Sequence, residues 1–179
     1  MSERRKAIKP QEVLENLQEQ SVGSPIPDVS TNITIIEQQT IRGYGHVSKT
    51  DQGSIYFDEM MRIMEAKGLG FRDLLREGMI VAVQSDAGEY LRLLVKGDEI
   101  TLNTQTFELP QRILFLMNSV RDNKLTGSHA VVVDVNNEKG RAMDIPEWVS
   151  ERLRIDIVQP MLTANGNNTL LCNVEHELS

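Results

Sequence analysis

The sequence predicts an α+β fold that is mainly β, with a flexible arm at its N-terminus. Three observations carry that expectation. From Ile33 to Phe107, short β-branched and aromatic runs alternate with clusters of Gly, Asp and Ser, the spacing of strands and turns. Arg42-Gly43-Tyr44-Gly45-His46-Val47 would put two rings on one face of an extended segment and bare glycines on the other. Helical spacing in Met60, Met61 and Met64, and again in Phe71, Leu74 and Leu75, adds short helices to the strands.

Residues 1–32 form the arm. Arg4, Arg5, Lys6 and Lys9 open it, and Ser21-Val22-Gly23-Ser24-Pro25-Ile26-Pro27-Asp28 closes it with a linker composition. Between them, residues 10–20 predict a short helix with Pro10 in its first turn and Val13, Leu14 and Leu17 along one side. That stripe is too small to fold alone, so it docks on something or stays mobile. The basic cluster reads as a solvated terminus rather than a phosphate contact.

Strands are expected over 33–36 and 42–48. Thr50-Asp51-Gln52-Gly53 then reads as a hairpin turn leading into a strand over 54–57. Asp58 would cap a short helix with Met60, Met61 and Met64 on its apolar side, broken by Gly68-Leu69-Gly70. Phe71, Leu74 and Leu75 have helical spacing up to Gly78. Residues 79–84 and 89–95 read as strands around Ser85-Asp86-Ala87-Gly88, and Lys96-Gly97-Asp98 turns into a further strand over 99–107.

A smaller mixed α/β unit is expected over 106–179, after a main unit over 33–105. Pro110 would open a helix over 110–120 with Ile113, Leu114, Met117 and Val120 on one face. The run 129–135 looks like a buried strand. Asp144-Ile145-Pro146-Glu147 resembles a capped helix start before Trp148, Val149 and Leu153. A strand over 154–158, a loop over 164–168 and a last strand over 169–174 complete the chain.

The chain of 179 residues is 40% hydrophobic and 25% charged, ordinary for a globular protein with a real core. No apolar run approaches the ~18 residues of a membrane span, and no apolar segment follows the N-terminal charges, so a cytoplasmic protein with no membrane partner is expected. The single Cys172 rules out an internal disulfide and agrees with a reducing compartment. The net charge of −7 argues against coating a phosphate backbone with bulk positive charge, and leaves room for stacking on rings.

The order of pieces resembles the cold shock domain, a five-stranded OB-type β-barrel, over roughly 33–95. Arg42-Gly43-Tyr44-Gly45-His46-Val47 is similar to that family's first RNA-binding motif and Ile55-Tyr56-Phe57-Asp58 to its second. Gly70-Phe71-Arg72-Asp73-Leu74 and Arg76-Glu77-Gly78-Met79-Ile80-Val81 look like its loop and fourth strand. An RRM shares the Gly-aromatic-Gly motif, but its partner aromatics lie upstream rather than within a following hairpin. The resemblance implies single-stranded RNA or DNA as partner, with bases stacked on Tyr44, His46 and Tyr56. Arg42, Lys49 and Arg72 would meet phosphates.

The expected function is therefore non-catalytic nucleic-acid binding, with no cofactor and no metal. The alternative is an adaptor whose barrel has lost that affinity, contacting a protein through the arm or the 110–120 helix. Glu37 and Gln38 where platforms would stand, Asp58 in place of a histidine, and the charge of −7 favour it. Catalytic signals are poor: there is no Gly-x-Ser-x-Gly, phosphate loop or His-Glu-x-x-His. His46, His129 and His176 are far apart, without metal-ligand spacing beside Cys172, which reads as a small buried apolar residue. His129 and Asp134, five apart on a strand pattern, point to opposite faces, and Asp144 and Glu147 read as helix-capping acids.

Overall fold

The computed structural model describes residues 26–36, 40–41 and 44–157. Its elements run β1 (Val29–Thr34), α1 (Lys49–Ala66), α2 (Phe71–Arg76), β2 (Met79–Tyr90), β3 (Glu99–Leu109), β4 (Arg112–Arg121), β5 (Lys124–Asn137) and α3 (Glu147–Leu153). The five strands make one antiparallel sheet in the order β1-β3-β4-β5-β2, with α1 lying across one face.

The barrel expected from the cold shock resemblance is not there. β1 and β2 lie at opposite ends of an open sheet, and the segment expected as the second motif strand is helical. The physical reason lies in the first turn of α1. Ser48 caps the helix, its hydroxyl accepting the Asp51 backbone N–H at 3.0 Å. The supposed hairpin turn 50–53 thereby becomes helix, and Gln52, Ile55, Tyr56, Glu59, Met60, Ile63 and Met64 form one continuous buried stripe. Residues 44–48 form no strand beyond a single bridge from His46 to Val95.

The 110–120 helix is also absent, and with it the partner surface placed there. Gln111 takes φ 61° in a tight turn after Leu109, and the chain returns as β4. As a central strand, β4 buries every residue from Ile113 to Met117, so its period-two alternation disappears from the sequence. β3 runs across residues 105–106, and β4 and β5 continue the same sheet. Residues 154–157 are not strand, and the expected arm helix, the 164–168 loop and the last strand over 169–174 lie outside the described residues. No described helix is long and apolar enough to cross a membrane.

The main core lies between α1 and the inner face of the sheet. Ile55, Met60, Ile63 and Met64 meet Ile100, Leu102, Ile113, Phe115, Met117, Val131 and Val133. α2 adds Leu74, and α3 adds Val149 and Leu153. A separate cluster, Leu109, Leu114, Leu116, Ala130 and Val132, sits on the outer face.

Lys67, just past α1, is 2% exposed and donates from Nζ to the carbonyls of Leu153 at 2.6 Å and Ile155 at 2.5 Å. A cation at the C-terminal end of α3 satisfies carbonyls left over by the helix and complements its dipole. Lys67→Met should cost about 1.5–3 kcal/mol, the range for hydrogen bonds to a charged group. Urea unfolding checks it; a midpoint unchanged from the parent would contradict the role.

Candidate active site

Of the six residues expected to bind nucleic acid, the five that the structure describes do not form a common surface. Arg42 lies outside the described residues. Tyr44 is 77% exposed at a turn, its ring edge-on to His46 at 5.9 Å. Lys49 starts α1 and Arg72 lies on α2, both exposed. Tyr56 is 2% exposed, inside the core, where no base can stack on it.

What the fold does bring together is a group of rings and a carboxylate under the N-terminal half of α1. Across the β2–β5 ladder, Gly88 pairs with His129 and Tyr90 with Gly127, so each ring stands opposite a glycine. The glycines make room: a Cβ on Gly88 would fall 2.6 Å from His129 Nδ1 and 2.7 Å from the Tyr90 hydroxyl. One on Gly127 would fall 2.7 Å from the Tyr56 hydroxyl, and one on Gly53, above in α1, 3.2 Å from that of Tyr90. Asp86 stands two residues before Gly88 on β2, its side chain largely exposed.

His129, itself buried, is flanked on both ring nitrogens. Its Nδ1 lies 3.5 Å from the Tyr90 hydroxyl and its Nε2 3.7 Å from Asp86 Oδ2. Both are longer than a good hydrogen bond. Below, Tyr56 stacks on the imidazole at 5.1 Å with 8° between the planes. A hydroxyl relay fixes that ring. Thr126 donates to the Ser119 carbonyl at 3.0 Å, which leaves its oxygen to accept from Ser119 at 2.7 Å. Ser119 in turn accepts from Tyr56 at 2.6 Å.

The protonation states follow from burial. Desolvation lowers the His129 pKa below its usual 6.5, with the Asp86 charge opposing, so the ring is neutral at pH 7. Desolvation pushes the Tyr56 hydroxyl up to about 12, against the hydrogen bond to Ser119 and with the repulsion of Tyr90. Tyr90 is raised by burial and by Asp86, so it too stays a donor. An acceptor-only carboxylate beside Nε2 favours the proton there and leaves Nδ1, on the side of the Tyr90 hydroxyl, as the basic nitrogen. The arrangement can hold a water, take its proton, and donate a hydrogen bond to a developing oxyanion.

Sequence reasoning missed this group. It weighed His129 against Asp134, which is indeed on the other face, paired with Arg112 at 2.9 Å. The available signal was a lone histidine in the apolar run 129–135 together with ring and glycine residues at matched positions in 88–90 and 127–129. Among the described residues no group of three or more His, Cys, Asp or Glu is placed to hold a metal ion.

By sequence the chain matches no protein-family model and no curated protein. By structure it is similar to a 1,4-dihydroxy-2-naphthoyl-CoA thioesterase from Synechocystis, at 9% identity and a TM-score of 0.65, covering 71% of this chain and 96% of that one. It is similar to a Staphylococcus aureus protein solved in complex with CoA, at 17% identity and a TM-score of 0.65, covering 80% and 92%. A DHNA-CoA thioesterase from Staphylococcus aureus matches at 13% identity and a TM-score of 0.60, covering 70% and 87%. The chain thus has a hotdog fold, a five-stranded antiparallel sheet with a helix across it, and not the cold shock or OB barrel. The same likenesses overturn the expectation of a non-catalytic binder of single-stranded RNA or DNA: of these three similar structures, two are thioesterases of CoA esters and one was solved with CoA.

Proposed function

We propose that the chain hydrolyses thioesters of coenzyme A, with His129 as general base. One observation carries the reading: in a fold shared with CoA-ester thioesterases, a neutral buried imidazole has a carboxylate on one nitrogen and a phenol on the other. A thioester whose carbonyl oxygen meets the Tyr90 hydroxyl would place its carbonyl carbon near a water at His129 Nδ1. The water oxygen attacks the carbonyl carbon as its proton passes to Nδ1, and Tyr90 donates to the oxyanion. The C–S bond then breaks; the thiolate leaves and takes the proton back from His129, giving a carboxylic acid and free CoA. A thiol of ordinary pKa ~8.5 is a good leaving group, so the base is the element the reaction most needs.

Release of free thiol from a panel of aromatic and aliphatic acyl-CoAs tests this. Saturable turnover of at least one member is expected. No enzyme-dependent release across the panel would sink the proposal.

A further inference from the structure

The outer face of the sheet is divided. Toward one end it carries a polar ladder: Ser30 donates to Asn103 at 2.6 Å, Thr101 to Asn32 at 2.9 Å, and Ser128 to Asn118 at 2.6 Å. Toward the other lies an apolar patch, Leu114, Leu116, Ala130 and Val132 at 0–6% exposure with Phe107 against them, edged by the Gln105–Asp28 hydrogen bond and the Arg112–Asp134 ion pair. Large side chains on the outside of a lone sheet keep contact with water unless another element lies over them. Every described helix faces the other way, because the buried apolar residues of α1, α2 and α3 all belong to the inner core.

We propose that residues 10–20, the amphipathic segment with Val13, Leu14 and Leu17 on one side, dock as a helix across this outer patch of the same chain. The path of the chain favours it. Val29 pairs with Thr104, and Gln105 Nε2 donates to Asp28 at 3.2 Å. Continuing that register brings Ile26 level with Phe107, which pairs with Leu114, which pairs with Val132. The chain thus enters the sheet at the apolar end of the face, not the polar end. Strands ~4.8 Å apart put β4 about 10 Å from β1. Six peptide steps from Gln20 to Ile26 reach up to ~20 Å, so the linker can round the edge of the sheet. An eleven-residue helix is ~16 Å long, enough to span the patch. The C-terminal end is less suited, since Ile157 is buried in the inner core and the chain leaves the described residues from that layer.

Cross-linking in the full chain tests the placement. In a Cys172→Ser background, Leu14→Cys is combined with Leu116→Cys, with Val132→Cys, or with Arg76→Cys on α2 as control, and each is treated with a short bis-maleimide at high dilution. Intrachain links to 116 or 132 well above the control at 76 are expected. Links only between chains would assign the face to a second copy and overturn the proposal. Equal yields at all three positions would mean an arm with no fixed seat and also overturn it. As a variant that leaves the sheet untouched, Leu14→Asp with Leu17→Asp should raise binding of an apolar fluorescent dye several-fold at unchanged circular dichroism. Unchanged dye binding in a folded variant would count against the docking.

Discussion

His129→Gln is expected to lower kcat for thioester hydrolysis by ~10²–10⁴-fold, the range a positioned general base contributes. Glutamine keeps a planar polar group of similar reach but cannot accept the proton of water at neutral pH. The fold should survive, because Gly88 leaves the space opposite position 129 free and Met117 and Val131 continue the packing on either side. KM should change little if His129 acts on the water rather than on the CoA moiety, and circular dichroism separates lost chemistry from lost structure. Asp86→Asn and Tyr90→Phe should each cost less, since one steers the tautomer and the other donates a single hydrogen bond. A His129→Gln protein with parental kcat would remove the imidazole from the mechanism.

The second large effect is on stability. Arg62→Met should destabilise the fold by about 3–5 kcal/mol, the usual cost of removing one partner of a buried ion pair. Glu59 lies on α1 with its side chain 1% exposed. Its Oε1 accepts from Thr31 at 2.7 Å and from Arg62 Nη2 at 2.5 Å, and its Oε2 accepts from Arg62 Nε at 2.7 Å. The guanidinium also reaches the Thr31 hydroxyl at 2.5 Å, tying α1 to the edge strand β1. Without it, a carboxylate remains in the core with one hydroxyl for company. Such a loss would take a large share of the ~5–15 kcal/mol that holds a domain together. Equilibrium urea unfolding measures it, and Glu59→Leu added to Arg62→Met should recover most of the loss. A single-variant cost below about 1 kcal/mol would contradict the buried pair.

Much of the local structure was legible in the sequence, and the global fold was not. Helical spacing in Phe71, Leu74 and Leu75 matches α2, and the apolar run 129–135 lies within β5. The decisive misreading was at residues 50–57. Thr-Asp-Gln-Gly has a turn composition, and only the side chain of Ser48 and the long-range contacts of Tyr56 make it helix. Once those residues were read as a hairpin, the Gly-Tyr-Gly-His segment acquired a strand partner it does not have. β4 hid for a different reason: a strand buried on both faces has no alternation to read, and Ile113, Leu114 and Met117 satisfy helical spacing by chance. β2 looked like two strands because Ser85-Asp86-Ala87-Gly88 is turn-like, yet the strand passes through with an irregularity between Val83 and Ser85. The candidate site sits in that same stretch, so the misreading of 85–88 as a turn concealed Asp86 and Gly88 together.

The pH dependence of kcat/KM for the best thioester substrate tests the central claim most directly. His129 is catalytic only as the neutral base, and burial holds its pKa below the usual 6.5. Activity should therefore be level through neutral pH and fall as the pH drops through that depressed value and the imidazole is protonated. The plateau at neutral pH, and the break where it turns down, should vanish in His129→Gln, whose residual rate rises with hydroxide across the whole range. A limb centred above 6.5, or one that persists unchanged in His129→Gln, would show that another group activates the water.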